Sequence, residues 1–513
     1  MKLFHKKNDQ ASIEDKAMPV KKGNEASKEN LEKTNSSILF FGVLISGLFV
    51  LFMGYIFFFM FTQKESVVTN QYNTGRQAIL ESRIIRGSIE AANGERLAYT
   101  AVDEEGNELR VYPYRNVFAH VIGYSTNGKM GVESSENYSL VQSHETLSDK
   151  IQNDLNNKKD RGDTVVTSLD VDLQRAAYTA LGVYQGAIIV TDVKTGQVLC
   201  MVSKPDFDPN EIAEIWDDVI HNDESTLLLN RATSGQYAPG STFKIFTSIE
   251  YLKEHSEDWN QYKFNCKGTF KNEEGDTIHC YGHSAHGSLD FASSFARSCN
   301  SSFANIGMQL DRDAFGETLT DLLFNQTIPG QFQCAKSKIS MGSHVDDYNM
   351  LQNSIGQGAV TITPIHLNMI TAAIANGGTL YEPYVVTGVR GTDGSTVKTY
   401  NPVSMGRILP EDICANMRDF MRDVCTYGTA KSLSKASFTV AGKTGSAEFG
   451  TTEDAAHHGM LDSNAWFTGF APAEDPEIAI TVIVEQMGSG GDYAVPIARR
   501  VLETYFENKG SEN

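Results

Sequence analysis

The feature that most restricts how this chain can fold is a single long apolar run near its N-terminus. Ile38 to Phe61 carries no charged residue and is overwhelmingly apolar. At about 1.5 Å per residue, a helix of this length spans a bilayer core of about 30 Å. The run is long for a signal-peptide core, and residues 62–65 offer no small-residue cleavage site. We therefore predict an uncleaved, single-pass transmembrane helix at 38–61.

The charges around this run predict its orientation. The preceding tail, residues 1–37, is polar and rich in lysine, and such tails stay in the cytoplasm. Everything after Phe61 is then extracytoplasmic. The chain as a whole has a net charge of −20 and no basic region of the kind that binds nucleic acid, so we expect no nucleic-acid partner.

Length and composition predict more than one folded domain outside the membrane. A chain of 513 residues is too long to fold around one compact core. A content of 41% hydrophobic and 21% charged residues is typical of a folded protein. Residues 62–157 carry little chemistry and predict a small β-rich pedestal with a tight turn at Asn93-Gly94. The module carries Asn73 and three arginines, Arg76, Arg86 and Arg110, and we interpret the arginines as ties within it and not as substrate ligands.

Residues 158–513 predict a larger α+β domain. Thr164 to Leu169 suits a strand, and Asp170 suits the N-cap of a helix that follows. Apolar runs on either side of Lys194-Thr195-Gly196 predict a β-hairpin. Three further strands, at 438–448, 465–471 and 478–485, precede a closing amphipathic helix from Ala494.

The first stretch with clear chemistry is Tyr237 to Lys244. Pro239-Gly240 marks a turn, and the apolar spacing downstream predicts a helix that begins at or near Ser241. Ser241 and Lys244 then lie on one face, where a lysine of lowered pKa can take the serine proton. The unpaired N–H groups of the helix N-terminus can hold a developing negative charge.

Two more motifs follow in a usable order. Ser298-Cys299-Asn300 comes first, and Lys443-Thr444-Gly445 with Ser446 comes later. The earlier Lys194-Thr195-Gly196 precedes the nucleophile and predicts only a turn. Together, Ser-x-x-Lys, Ser-x-Asn and Lys-Thr-Gly resemble the signature of penicillin-binding proteins and class A β-lactamases.

From about Gly162 to Phe506 the chain resembles the transpeptidase domain of a class B penicillin-binding protein. The resemblance rests on the ordered motifs YAPGSTFK, SCN, IGQG, KTGSAE and AWFTGFAP. It implies a membrane-anchored α+β fold: an antiparallel sheet with flanking helices plus an all-helical lobe, in residues 158–513. Residues 62–157 resemble the family's N-terminal pedestal or dimerisation module.

The resemblance also implies an activity. Such an enzyme crosslinks peptidoglycan stem peptides through a serine acyl-enzyme, releases D-Ala, and is acylated by β-lactams. Its other expected partners are the lipid bilayer, through one helix, and cell-wall assembly proteins. The implied roles are nucleophile for Ser241, general base for Lys244, proton relay for Ser298, binding of the donor amide for Asn300, and binding of the substrate carboxylate for Lys443, Thr444 and Ser446. Backbone N–H groups of Ser241 and Ser446 would form the oxyanion hole, and Gly445 would let the peptide lie against the strand edge.

We also predict that the second cation, Lys443, lowers the pKa of Lys244. A D,D-carboxypeptidase or β-lactamase shares the acylation machinery, and a penicillin-recognising sensor or assembly scaffold is the alternative from another class. The anchor and pedestal favour the transpeptidase. No Glu-x-x-x-Asn pattern lies between Asn300 and Lys443 to mark a base that activates water, so we expect a long-lived penicilloyl-enzyme.

The insert that follows the nucleophile helix contains a second group of reactive side chains. Cys266, Cys280, His283 and His286 fit a tetrahedral zinc site, a Cys266–Cys280 disulfide, or free thiols. The expected reaction requires no cofactor, so any zinc here would be structural.

Overall fold

The computed structural model describes residues 24–62, 81–448 and 463–511. The tail before Asn24 and the pedestal residues Asn73 and Arg76 lie outside these ranges. The chain forms two compact units, residues 1–73 and 74–513. In the first unit, helix α1 (Asn24–Thr62) contains a candidate membrane span, Asn35–Phe59, with a mean hydropathy of 2.4 and no buried portion.

The second unit begins with short strands and helices. Their bounds are β1 (Ile84–Ile85), β2 (Ile89–Glu90), β3 (Arg96–Val102), β4 (Glu108–Val111), α2 (Ala119–Ile122), α3 (Gly131–Ser135), α4 (Asn137–Leu140), α5 (Leu147–Leu155), β5 (Asp160–Arg161), β6 (Thr164–Thr167), α6 (Val171–Leu181), β7 (Gly186–Asp192), β8 (Val198–Lys204), α7 (Ile212–His221) and α8 (Arg231–Ser234). Asp170 caps α6 as predicted, because its side chain accepts a hydrogen bond from the Leu173 amide at 2.8 Å.

The middle of the unit is largely helical and carries two small hairpins. The elements are α9 (Lys244–Glu254), β9 (Lys263–Cys266), β10 (Thr269–Lys271), β11 (Thr277–His279), β12 (Gly287–Asp290), α10 (Phe291–Ala296), α11 (Asn300–Gly307), α12 (Arg312–Asp321), α13 (Asp347–Ser354) and α14 (Pro364–Ala375). Buried phenylalanines, among them Phe243, Phe246, Phe315 and Phe324, pack edge to face or tilted and hold the start of α9 in the core.

The last part of the unit returns to strands. It contains β13 (Thr379–Tyr381), β14 (Val386–Arg390), β15 (Thr396–Thr399), β16 (Ser404–Arg407), α15 (Glu411–Thr426), β17 (Ala441–Glu448), β18 (Ser463–Ala471), β19 (Ile478–Val484) and α16 (Ala494–Ser511). The three predicted C-terminal strands and the closing helix are therefore confirmed, with ends that move by a few residues.

The central sheet has five antiparallel strands in the order β17-β18-β19-β7-β8. Every residue of β18 and β19 is buried, which requires cover on both faces of the sheet. Helix α14 packs on β7, β18 and β19, and the helix pair α6 and α16 packs on the sheet as well. Among the described residues, strand β17 lies at one end of this sheet and pairs with a strand on one side only.

A second sheet crosses the predicted boundary between pedestal and larger domain. Its order is β15-β14-β6-β2-β3-β4, with β2 parallel to β6. Nearby, Arg86 and Arg110 donate to the fully buried carboxylate of Glu133 at 2.6 and 2.8 Å. These two arginines link parts of the pedestal to one another, as predicted. The domain boundary at 157/158 stays a prediction.

Candidate active site

The candidate nucleophile lies in a tight turn and not in the first turn of an α-helix. Residues Gly240–Phe243 form a 3₁₀ turn, and α9 begins at Lys244. Gly240 has a φ of +52°, and a Cβ there would lie 2.6 Å from the Ser446 carbonyl oxygen. Its N–H donates to the Gly356 carbonyl at 2.9 Å. Glycine at 240 therefore lets β17 close directly on the turn that carries Ser241.

Lys244 lies at the centre of the site and is fully buried. Its Nζ is 3.1 Å from Ser241 Oγ, 3.2 Å from Ser298 Oγ, and 2.7 Å from Asn300 Oδ1. It also donates to the Ser298 carbonyl at 2.8 Å. Burial lowers the pKa of Lys244 to about 7, so a large fraction of the amine is neutral at neutral pH.

Ser298 lies in a break between two helices. Helix α10 ends at Ala296, α11 begins at Asn300, and Ser298 between them has a φ of +54°. This left-handed backbone is unusual for a residue with a side chain. It brings Ser298 Oγ within reach of two lysines, at 3.2 Å from Lys244 Nζ and 2.8 Å from Lys443 Nζ.

Lys443 is fully buried although it lies on the edge strand β17. Its Nζ donates to Ser298 Oγ and to the Thr444 carbonyl, at 2.8 and 3.0 Å. Burial, and then repulsion from Lys244, holds the pKa of Lys443 well below its ordinary value. The sequence predicted that repulsion from Lys443 would act on Lys244; in the structure burial is the main cause at both lysines, and the repulsion acts on Lys443.

The rest of the Lys-Thr-Gly motif is fixed by neighbours that the sequence did not indicate. The hydroxyls of Thr444 and Thr429 are 2.5 Å apart, and no sequence pattern pointed to Thr429. A Cβ at Gly445 would lie 2.9 Å from the Pro239 carbonyl oxygen. The glycine therefore makes room for the nucleophile turn, a different neighbour from the peptide that sequence analysis expected. Ser446 Oγ accepts a hydrogen bond from the Gly490 amide at 3.4 Å.

The Cys/His group forms a cluster, with one change of membership. Cys266, Cys280 and His286 come together, but Cys299 and not His283 is the fourth member. His283 is exposed, and its ring lies 4.4 Å from that of His279. The Sγ atoms of Cys266 and Cys280 are 3.6 Å apart, much longer than a disulfide bond of about 2.0 Å, so the disulfide alternative is not realised.

The arrangement links a serine hydroxyl, a buried amine, a second hydroxyl and a second buried amine in one hydrogen-bonded chain. Within the described ranges, neither Lys244 nor Lys443 forms an ion pair with a carboxylate, so no local anion keeps them protonated. Neutral Lys244 beside Ser241 can serve as its base, and Lys443 can hold its proton once an anionic group binds next to it and offsets the cost of burial. The geometry suits acyl transfer from a ligand that carries a negative charge.

Comparison with known proteins agrees with this chemistry. Residues 186–503 match the penicillin binding protein transpeptidase domain, and residues 86–165 match the penicillin binding protein A dimerisation domain. The chain is 31% identical over 442 residues to the peptidoglycan D,D-transpeptidase PbpA of Mycolicibacterium smegmatis, covering 81% of this chain and 88% of the relative. It is 31% identical over 466 residues to MrdA of Acinetobacter baumannii, covering 80% and 67%.

Solved structures give the same result. The ceftriaxone acyl-enzyme complex of penicillin-binding protein A from M. tuberculosis superposes with a TM-score of 0.74 at 28% identity, covering 83% of this chain and 99% of that one. The imipenem acyl-enzyme complex of the same protein gives 0.74 at 27% identity, covering 83% and 99%. With a family model that spans more than half of its length, this chain belongs to the penicillin-binding protein transpeptidases.

Proposed function

We propose that this chain is a membrane-anchored peptidoglycan D,D-transpeptidase whose nucleophile is Ser241. The enzyme breaks the D-Ala–D-Ala bond of one stem peptide, releases the terminal D-Ala, and joins the acyl group to an amine of a neighbouring strand. The observation that carries the proposal is the buried Lys244 amine, 3.1 Å from Ser241 Oγ with a pKa of about 7. The acyl-enzyme complexes of related penicillin-binding proteins support the same reaction class.

In the acylation step, neutral Lys244 takes the proton of Ser241 while Oγ attacks the donor carbonyl carbon. The carbonyl oxygen becomes an oxyanion that the backbone N–H groups of Ser241 and Ser446 stabilise. Lys244 then passes a proton to Ser298, which gives its own to the departing amine of D-Ala. The short contacts among these groups support the relay.

Substrate binding uses the edge of the central sheet. A donor peptide that pairs with β17 extends the sheet by one strand. Its terminal carboxylate meets Lys443, Thr444 and Ser446, and Asn300 binds the donor amide. Lys443 is the cation of this subsite. Burial lowers its pKa, but an arriving carboxylate favours the protonated form, and the resulting ion pair is stronger in a buried site than in water.

The second half-reaction distinguishes this enzyme from its alternatives. An acceptor amine attacks the acyl-enzyme, the ester to Ser241 breaks, and a new amide forms with return of the proton to the serine. Water must be poorly placed for this sequence to succeed. A β-lactam leaves its opened ring attached to the acyl group, where it blocks the acceptor, so the penicilloyl-enzyme persists.

Membrane topology completes the proposal. The span Asn35–Phe59 lies in the bilayer with the lysine-bearing N-terminal side in the cytoplasm. The acyl-transfer site is then outside the membrane, where peptidoglycan is. The lipid bilayer and cell-wall assembly proteins are the further partners that we propose.

Labelling of the full-length chain by fluorescent penicillin tests the nucleophile. Ser241→Ala is expected to stay folded and to take up no label. Ser248→Ala is the matched control, because Ser248 lies buried on α9, directly after the nucleophile turn, and its hydroxyl has no partner in the described residues. Undiminished labelling of Ser241→Ala would disprove the assignment.

Product analysis separates the candidate activities. Incubated with a chromogenic β-lactam, the enzyme should give one stoichiometric burst and almost no further turnover, whereas sustained hydrolysis would indicate a β-lactamase. Incubated with a peptidoglycan precursor polymer, it should form crosslinked peptides, whereas D-Ala release without crosslinks would indicate a carboxypeptidase.

A further inference from the structure

Three thiols and one imidazole meet at one point behind the active site. The Sγ atoms of Cys266, Cys280 and Cys299 and a ring nitrogen of His286 all lie within 4.8 Å of one another. The three cysteines are buried, and His286 is half-buried. The proposed acyl transfer uses none of these four side chains, so their convergence calls for a separate explanation.

The distances fit the edges of a metal-centred tetrahedron. Cys266 and Cys280 are 3.6 Å apart at sulfur, Cys280 and Cys299 are 3.7 Å apart, and Cys266 Sγ lies 3.5 Å from His286 Nδ1. Around a zinc ion with Zn–S bonds of about 2.3 Å, tetrahedral ligands are about 3.8 Å from one another. A disulfide would need about 2.0 Å instead.

The local fold brings the four residues together from separate strands and a helix cap. Strands β9 and β12 pair with Cys266 opposite Gly287, which places the adjacent His286 next to Cys266. The hairpin of β10 and β11 returns the chain so that Cys280 directly follows β11. Cys299 is the N-cap residue of α11.

Hydrogen-bond donors already surround the sulfur atoms. The Gly268 amide donates to Cys266 Sγ and the Ser302 amide to Cys299 Sγ, both at 3.4 Å. The Ser301 hydroxyl lies 3.1 Å from Cys280 Sγ. Donors of this kind stabilise metal-bound thiolates and fix their orientation, as outer-sphere groups do in known metal sites.

We propose that Cys266, Cys280, Cys299 and His286 bind one structural zinc ion. Three thiolates and one imidazole form a closed tetrahedral set that leaves no position for substrate, which is typical of structural zinc. Sulfur-rich tetrahedral coordination also disfavours magnesium, calcium and manganese. On binding, the three thiols release their protons to solvent, and no oxidation is involved.

The ion would affect catalysis by holding Ser298 and Asn300 in position. Cys299 lies between Ser298 and Asn300, so a metal bond at Cys299 holds both neighbours in the chain. The insert is already attached to this motif, because Asn300 Nδ2 donates to the His279 carbonyl at 3.0 Å. Zinc would therefore support the left-handed backbone of Ser298. Its ligands position Ser298 and Asn300 without touching the substrate.

Metal analysis of the full-length chain, purified in detergent without chelator, tests the site directly. We expect about one zinc ion per chain and an X-ray absorption spectrum that fits about three sulfur ligands and one nitrogen ligand. Cobalt substitution should add the absorption of thiolate-to-cobalt charge transfer. Metal-free protein, oxygen-dominated coordination, or a mass lower by two hydrogens through disulfide formation would each overturn the proposal. These measurements need no variant and do not depend on acylation of Ser241.

Variants then test which residues are ligands. His286→Ala is expected to lose most of the bound zinc, whereas the matched control His283→Ala, an exposed histidine three residues earlier, should keep it. Cys266→Ala should also lose zinc, and Cys425→Ala, a buried cysteine elsewhere, should not. Retention of zinc by both ligand variants would overturn the assignment.

The positioning role has its own measurement. With zinc lost in His286→Ala, the rate of penicillin acylation should fall by about tenfold or more, since small displacements of reacting groups cost at least that much. The temperature midpoint of unfolding, measured on the same variant, should fall as well. Loss of zinc with both quantities unchanged would overturn the positioning role.

Discussion

The tripeptide Lys-Thr-Gly occurs twice in this chain, and its two copies have opposite surroundings. Lys194 lies in the hairpin turn between β7 and β8, is 62% exposed, and forms a 3.4 Å ion pair with the exposed Asp475. Lys443 lies on β17, is fully buried, and donates to Ser298 Oγ at 2.8 Å. The same three residues make a turn in one place and part of the candidate active site in the other.

The glycines of the two copies differ in the same way. Gly196 has a φ of +77°, which the turn requires, and a Cβ there would lie 2.7 Å from the Glu382 carbonyl oxygen. Gly445 lies in a strand, where its missing Cβ makes room for Pro239 on the nucleophile turn. The first glycine serves the local backbone and the second serves a long-range contact. A motif therefore becomes a site only through what the fold packs against it.

The largest expected difference in acylation rate is between variants of the two lysines. Lys443→Met should lower the rate of acylation by penicillin by roughly 10²- to 10³-fold, because it removes the buried amine that we propose is protonated when the ligand carboxylate binds. Lys194→Met should leave that rate unchanged. Stopped-flow or gel-based labelling of both full-length variants measures the effect. Equal rates in the two variants would contradict the assignment of Lys443.

The two glycines should separate activity from stability. Gly445→Ala is expected to slow acylation by about tenfold to a hundredfold, because β17 must shift from the nucleophile turn. Gly196→Ala should lower the free energy of unfolding, through a strained positive φ and a backbone clash, with little change in the acylation rate of folded molecules. Thermal unfolding and labelling, measured on both variants, check the split. If Gly196→Ala slowed acylation and Gly445→Ala did not, the roles assigned to the two glycines would be wrong.

The burial of Lys244 predicts a pH dependence. Only its neutral form accepts a proton, so acylation should fall by about tenfold per pH unit below its pKa of about 7 and level off above it. The same lowered pKa means that the unfolded chain holds the extra proton between about pH 7 and 10.5, so this lysine makes stability rise with pH across that window. Lys194→Met should leave the profile of acylation against pH unchanged. A profile that is flat from pH 5 to 9 would contradict a lysine base.

The smallest expected effect is the change in the free energy of unfolding when the Lys194–Asp475 surface ion pair is removed. Lys194→Ala breaks the contact with Asp475, which is exposed to solvent and screened by salt. It should change the free energy of unfolding by at most about 0.5 kcal/mol. Chemical denaturation at low and high salt measures this. A loss of several kcal/mol would mean that the turn is more important to the fold than its exposure indicates.

Much of the architecture could be predicted from the sequence because its causes are local. An uncharged apolar run predicts a membrane-spanning helix, and the described residues contain a helix long and apolar enough to cross a membrane at Asn35–Phe59. Asp170 caps its helix through a bond to a residue three positions on. The hairpin and the three C-terminal strands follow from periodicity and turn residues that lie next to one another in the chain. The order of the three motifs also identified the family.

Other features depended on contacts between residues far apart in the chain, and the sequence did not reveal them. Lys443 and Ser298 are 145 residues apart, yet they share a hydrogen bond. The burial that lowers both lysine pKa values, the contact of Thr429 with Thr444, and the room that Gly445 makes for Pro239 all arise from packing.

The Cys/His cluster shows both contributions in one place. Residue type and spacing grouped Cys266, Cys280, His283 and His286, and left a zinc site, a disulfide and free thiols open as alternatives. The fold turns His283 outward and brings in Cys299 from the catalytic motif. The sequence alone determined which local elements form and in what order their reactive groups follow. Only the tertiary structure decided which of those groups meet and lose water, because desolvation and long-range contact belong to the packed chain as a whole.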